Sequence, residues 1–209
     1  MKIFQSIINA VLTGGALLTG IINWKLKNPL TEDEKAKINV LLVPDYYIIL
    51  TRNNNHLSSY IIGLGDLIYE HKYGYWGHAL MNMENEVVND TDFRFVEAIG
   101  SGVQYATFDT VMGVNSIALL KPKNMTVDKW TAVLDKAHSE VGKPYDTLFD
   151  MAQDQKLSCV ELVRNALMAE PNYKTDFANF EAMVQKYGKL TPQMFYDCPD
   201  FEIVLEIRH

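Results

Sequence analysis

The chain carries two cysteines, and one of them, Cys159 in LSCVELVRNAL (Leu157 to Leu167), stands directly ahead of a predicted helix. Val160, Leu162, Val163, Ala166 and Leu167 form an apolar stripe at helical spacing, with Glu161, Arg164 and Asn165 between them. A thiol in the first turn of a helix is suited to nucleophilic chemistry, because the partial positive charge there favours the thiolate. Backbone N–H groups at the same helix start could cradle a developing oxyanion. Acyl transfer by a cysteine needs two further groups: a base to take the proton and a third group to hold that base in orientation.

Five histidines compete for the role of base. His209 is terminal, His138 lies near the polar end of a surface helix beside Glu140, and His56 and His71 sit in polar, loop-like surroundings. Only His78, in YWGHALMNM, lies inside a strand-like run. For the orienting group, Glu97 in FRFVEAIGSG is an acid in a strand otherwise reading Phe93, Phe95, Val96, Ala98 and Ile99. An acid in such a strand stays buried only when something pairs with it. If the two strands are neighbours, Glu97 and His78 meet side by side.

Each residue alone also has a plain structural reading: a small buried plug, a hydrogen-bonded core histidine, a solvated acid. Their joint occurrence is what points to chemistry. Cys198, in YDCPDF, reads as structural, since it precedes Pro199 in a turn. A Cys159–Cys198 disulfide is the alternative that would silence the nucleophile. Tyr145 and Asp146 read equally as cleft lining or as a helix cap after Pro144, and Tyr75 and Trp76 as cleft-rim aromatics.

The elements that must position these groups form an α+β pattern. DYYIILTR (Asp45 to Arg52) predicts a strand. GHALMNM, EVVN, FRFVEAI and SIALLKP predict further strands of an antiparallel meander, with turns at Glu84-Asn85, Asn89-Asp90 and Gly100-Ser101-Gly102. TVDKWTAVLDKAHSEVG predicts a helix capped by Thr126, with Trp130, Val133, Leu134 and Ala137 inside and Gly142 as its stop. NPLTEDEKAKINVLL offers Thr31 as N-cap with Glu32, Asp33 and Glu34 in the first turn. NNNHLSSYIIGLGDLIYE reads as a turn and a short helix, DFANFEAMVQKYG as a late helix, and the tail as an edge strand with Phe201, Ile203 and Leu205 alternating. The fold class expected is one mainly antiparallel sheet packed against helices.

Bulk composition narrows the partners. The 209 residues suffice for one well-buried domain, and hydrophobic (48%) and charged (22%) contents are ordinary. A net charge of −7 without any Lys/Arg cluster argues against nucleic acid, which needs concentrated positive charge. The first segment differs from the rest: after Lys2 no charge appears until Lys25, and Ile3, Phe4, Ile7, Ile8, Val11 and Leu12 recur at helical spacing. A signal peptide, a spanning helix and an amphipathic helix all compete, the last fitting the periodicity best. Residues 3–24 then rest on a membrane surface, on a protein partner or on the body of the chain. The division expected is an N-terminal helical segment, 1–43, and a main domain, 44–209.

The motifs YWGHALMNM, FRFVEAIGSGVQYATFD, VGKPYDTLFD, LSCVELVRNAL and LTPQMFYDCPDF, in that order, resemble the circularly permuted NlpC/P60 papain-like family, its YiiX/YebB-like branch in particular. The resemblance runs from about Asp45 to Phe201. It implies a permuted papain-like fold and a cysteine hydrolase with histidine first, glutamate on the following strand and cysteine last. Carried onto this chain, it makes His78 the base, Glu97 the orienting acid and Cys159 the nucleophile. Gly77 stands where the family often has Ser or Thr, and Leu157-Ser158 where an aromatic often precedes the cysteine. No metal or organic cofactor is implied. Related substrates include cell-wall peptides and lipid acyl groups; cell-wall peptide is the first expectation, with a cell-envelope or membrane-associated setting favoured over a cytoplasmic one. A non-catalytic docking protein retaining the fold is the rival from another class.

Overall fold

The computed structural model describes residues 28–42, 45–54, 62–64, 66–67, 73–88, 91–147 and 155–209, with backbone alone for 84–88 and 91. The predicted amphipathic segment 3–24, His56, His71 and most of the helix read from NNNHLSSYIIGLGDLIYE lie outside these residues, as does the 43/44 boundary. In chain order the elements are α1 (Glu32–Leu42), β1 (Ile48–Arg52), β2 (His78–Val88), β3 (Thr91–Ile99), β4 (Gly102–Thr107), α2 (Phe108–Val111), β5 (Ser116–Pro122), α3 (Val127–Ser139), α4 (Cys159–Leu167), a 3₁₀ turn (Pro171–Thr175), α5 (Ala178–Tyr187), α6 (Pro192–Asp197) and β6 (Phe201–Ile207).

The six strands form one sheet in the order β4-β3-β2-β1-β5-β6, every pairing antiparallel. Every residue of β1 is buried because both faces of the sheet are covered. Alternation with period two sends Ile48, Leu50, Ala79, Met81, Val96, Ala98, Ala118 and Leu120 into one core, with Trp130, Val133 and Ala137 of α3 and Val160, Leu162 and Val163 of α4. The intervening Ile49, Leu80, Phe95, Ile117 and Leu119 face a second core closed by Ile38 and Leu42 of α1 and Val111 of α2. The α+β expectation holds.

The strand boundaries differ in three places. The turn expected at Glu84-Asn85 is absent: β2 continues through it, and an irregularity between Asn82 and Glu86 absorbs the change of register against β3. GVQYAT, whose apolar content Gln104 and Thr107 dilute, is strand β4 at the sheet edge, an element beyond the strands expected. In β6 the register shifts between Leu119 and Leu120 of its partner, so Phe201 and Leu205 are buried while Ile203 is exposed. Thr126 accepts the Lys129 N–H and Thr31 accepts the Glu34 N–H as read, whereas α3 ends at Ser139 with Glu140 as its C-cap, and Gly142, at a φ of 93°, lies two residues beyond that cap.

One glycine ties the sheet edge to the segment that leads to α4. Gly102 has a φ of 116°, and a Cβ there would lie 2.6 Å from the Lys143 carbonyl oxygen. That close approach allows Val103 N–H to donate to Lys143 O (2.9 Å) and Gly142 N–H to donate to Val103 O (2.9 Å). Gly102→Ala combines a disfavoured backbone conformation with a clash against backbone. It is expected to lower stability by about 1–3 kcal/mol, read as a fall in the urea midpoint.

Candidate active site

α4 begins where its sequence dictates. The Ser158 hydroxyl accepts the Glu161 N–H (3.4 Å), and the Glu161 carboxylate accepts from the Ser158 N–H (2.8 Å) and hydroxyl (2.7 Å). This reciprocal capping box satisfies donors that a buried helix start would otherwise orphan. Cys159 is therefore fixed as the first helical residue. The Ser-x-x-Glu spacing of SCVE is itself a sequence-level signature of a helix start.

The approach to that cap is also pinned. Leu157 N–H donates to Pro144 O (3.0 Å), and Tyr145 and Leu157 form a parallel bridge. Residues 144–146 thus run beside 157, and the Tyr145 side chain hydrogen-bonds the Cys159 sulfur. The PYD motif, read equally as a cap or a lining, lines the site.

His78 opens β2. The β2–β3 register, Met81 with Val96, continued to the strand end sets His78 opposite Ile99, so Glu97 is its diagonal neighbour on the same face. His78 Nε2 and Glu97 Oε2 are 2.9 Å apart. Glu97 is 6% exposed and the His78 side chain 24%. With Nε2 engaged by the carboxylate, Nδ1 is the nitrogen left for the sulfur, and α4 lies across β2 and β3, so that the Cys159 thiol and the His78 ring interact and shift each other's pKa.

The electrostatics favour a charged pair. Burial opposes charge on His78, but its hydrogen bonds and charge interactions with Cys159 and then Glu97 prevail and raise its pKa from 6.5 to about 10. Burial likewise pushes the Cys159 thiol up, yet the His78 hydrogen bond and charge, with backbone N–H groups of Ala79 and Val160, hold it below its ordinary 9.0. Tyr145 is raised well above 10.0, first by burial and then by the neighbouring Cys159 charge, so its hydroxyl keeps its proton as a donor. A thiolate beside an imidazolium can attack a carbonyl carbon and then protonate what leaves.

The remaining candidates separate from this cluster. His138 Nδ1 bonds the Tyr105 hydroxyl (2.9 Å), and His209 Nε2 lies 3.1 Å from Glu34. Both cysteines are free; Cys198 is buried, and burial pushes its thiol up to about 12. Trp76 is wholly buried and belongs to the core rather than a cleft rim, while Tyr75 packs partly buried beside it.

A cysteine on a helix start facing a histidine and an acid on two preceding antiparallel strands is a papain-like arrangement threaded in permuted order. The chain belongs to the permuted papain-like amidase family, the YaeF/YiiX or C92 family, whose model matches residues 47–205. Its fold is similar to the crystal structure of the metalloprotein YiiX from Escherichia coli O157:H7, with a TM-score of 0.54 at 17% identity, covering 80% of this chain and 99% of that one. None of the curated proteins compared with the chain matches it.

Proposed function

We propose that the chain is a cysteine hydrolase of the NlpC/P60 kind, acting by acyl transfer through a thioester. One observation carries this reading: a single imidazole bonds a buried glutamate on Nε2 and meets a lowered-pKa thiol at a helix start. Cys159 thiolate attacks the carbonyl carbon, forming the C–S bond and sending the C=O π electrons to oxygen. N–H groups at the start of α4 stabilise that oxyanion. As it collapses, the C–N bond breaks and the amine leaves with the proton of His78, giving the thioester. Water then attacks, His78 takes its proton, and the acid departs as the thiolate re-forms. Glu97 holds the Nε2–H tautomer throughout, and the Tyr145 hydroxyl supports the sulfur in its charged form.

The structurally similar YiiX is described as a metalloprotein. In this chain, among the described residues, no three His, Cys, Asp or Glu side chains gather into a metal-binding group. Cys159 and Glu97 lie against the same imidazole, with the Glu97 carboxylate held on Nε2. The donor set does not fit an ion there.

Cell-wall peptide is the substrate proposed first, as an amidase or peptidase reaction. A lipid acyl group is the second reading, motivated by the uncharged, helix-periodic stretch 3–24, which would hold the enzyme at a membrane surface or a protein partner. Among the described residues no helix is long and apolar enough to cross a membrane. The test measures amine release from soluble peptidoglycan fragments against fatty-acid release from phospholipid vesicles, with Cys159→Ala as control. Amine release that vanishes in the variant is the expected result. Cys159-dependent activity on phospholipid alone would sink the peptidase reading, and no Cys159-dependent thiol reactivity or turnover would favour a non-catalytic docking role.

A further inference from the structure

His78 is the first residue of its strand, paired with Thr51 of β1, and Gly77 precedes it, so the strand does not extend to the N-terminal side of the histidine. The lead-in, residues 73–77, has no regular structure. Its backbone groups are nevertheless met one by one. Gly77 N–H donates to Thr51 O (3.0 Å), and Tyr75 O accepts from Arg52 Nη1 (2.5 Å). The N–H groups of Tyr75 (2.7 Å) and Trp76 (3.5 Å) both donate to one atom, Oε1 of Gln193 on α6. Gln193 is 3% exposed, and its Nε2 donates to Asp197 Oδ1 (3.1 Å), one turn along. That second bond turns the amide so that its oxygen faces the lead-in.

We propose that Gln193 is a positioning residue for His78, acting through the backbone that delivers the histidine to β2. The inference rests on the cysteine-hydrolase reading above. Trp76, held at its N–H by Gln193, fills a wholly buried site between Tyr75 and Tyr196. The Arg208 guanidinium lies over all three rings, at 4.5, 5.4 and 5.1 Å from Tyr75, Trp76 and Tyr196. Arg208 falls outside the residues matched by the family model. Two residues further on is the imidazole, whose contact with Cys159 tolerates little displacement, since misplacement by about 1 Å can cost 10²-fold in rate.

The experiment measures iodoacetamide alkylation of Cys159 against pH, by mass spectrometry of its peptide, alongside thermal midpoints. Gln193→Leu keeps the volume and removes the acceptor. Its alkylation rate at neutral pH is expected to fall about tenfold, with the rise of the pH profile displaced toward that of an ordinary thiol. The double variant Gln193→Glu with Asp197→Asn keeps an acceptor for the Tyr75 and Trp76 N–H groups and reverses only the 193–197 hydrogen bond, and is expected to return the profile to within about threefold of wild type. Asp197→Ala, on an exposed side chain, frees the amide without orphaning the N–H groups and covers the case in which Gln193→Leu does not fold. It is expected to slow alkylation in the same direction. Lower thermal midpoints with a wild-type pH profile in Gln193→Leu and Asp197→Ala overturn the positioning role. If His78→Ala itself leaves the profile unchanged, the hydrolase reading fails and takes this inference with it. A slow His78→Ala beside fast Gln193 and Asp197 variants sinks this inference alone.

Discussion

Cys159→Ala leaves hydrolysis reduced by about 10³-fold or more, on whichever substrate the wild-type chain turns over, while the protein stays folded. If Cys159 is the nucleophile proposed, Cys198 cannot replace it, because burial pushes the Cys198 thiol up to about 12. Exchanging a small buried thiol for a methyl group removes little volume from a core that Val160, Leu162 and Val163 dominate, so the thermal midpoint should stay within a few degrees. His78→Ala is expected to fall to the same floor, and the double variant to go no lower, because residues that act as one unit are not additive. Glu97→Gln removes the charge but not the volume, and is expected to cost about 10²-fold. Steady-state kinetics of the four variants, beside circular dichroism melts, checks the set. A Cys159→Ala protein with wild-type turnover would remove the proposed mechanism, and full additivity of the Cys159 and His78 losses would show that they do not act as a pair.

The second large effect is in pH. His78 is raised to about 10 and so keeps its proton through neutrality; Cys159 is lowered below 9.0 and loses its proton before an ordinary thiol does. Between those two events the site holds thiolate and imidazolium together. Turnover is therefore expected to rise with pH as Cys159 ionises, to run flat through the ion-pair window, and to decline as pH rises through about 10, where His78 can no longer protonate the leaving amine. His78→Ala removes the leading influence holding the thiol down, so the acid limb of Cys159 alkylation should move to higher pH while Cys198 stays unreactive. The pair titrates as a unit, so both limbs belong to the couple rather than to either residue alone. An acid limb that stays put in His78→Ala would show that the helix start alone activates the sulfur.

The residues that make up the site were legible because their chemistry conflicts with their surroundings. A glutamate in FRFVEAI and a histidine in YWGHALMNM are costly inside a sheet unless they meet, and they do meet, at 2.9 Å. The helices α1, α3 and α5 were legible from caps and periodicity, down to the Thr31 and Thr126 caps; α5 ends at Gly188, with a φ of 64°. Less was legible where tertiary packing overrides local pattern. β2 runs through Glu84-Asn85 because β3 supplies a pairing partner, which no turn propensity encodes. LTPQMFYDC folds as the short helix α6 rather than as tail, started by Pro192 and carrying Gln193. Gln193 itself carried no signal, since its partners at Tyr75 and Trp76 are distant in sequence and are backbone groups whose identity leaves no trace in the side chains. Tyr145 was visible only as part of PYD, and its contact with the sulfur depends on the bridge to Leu157.

The order of the groups along the chain has a kinetic side. His78 and Glu97 are nineteen residues apart on adjacent strands of one hairpin, so their pairing closes a short loop and can form early. Cys159 joins them only after β4, β5 and α3 have been laid down between. Synthesised from the N-terminus, the chain presents the His78–Glu97 pair before Cys159. The reactive thiol arrives last, on the helix whose docking also buries Val160, Leu162 and Val163, so thiolate activation is coupled to completion of the core. The reactivity of that thiol is therefore expected to report on completion of the core around α4.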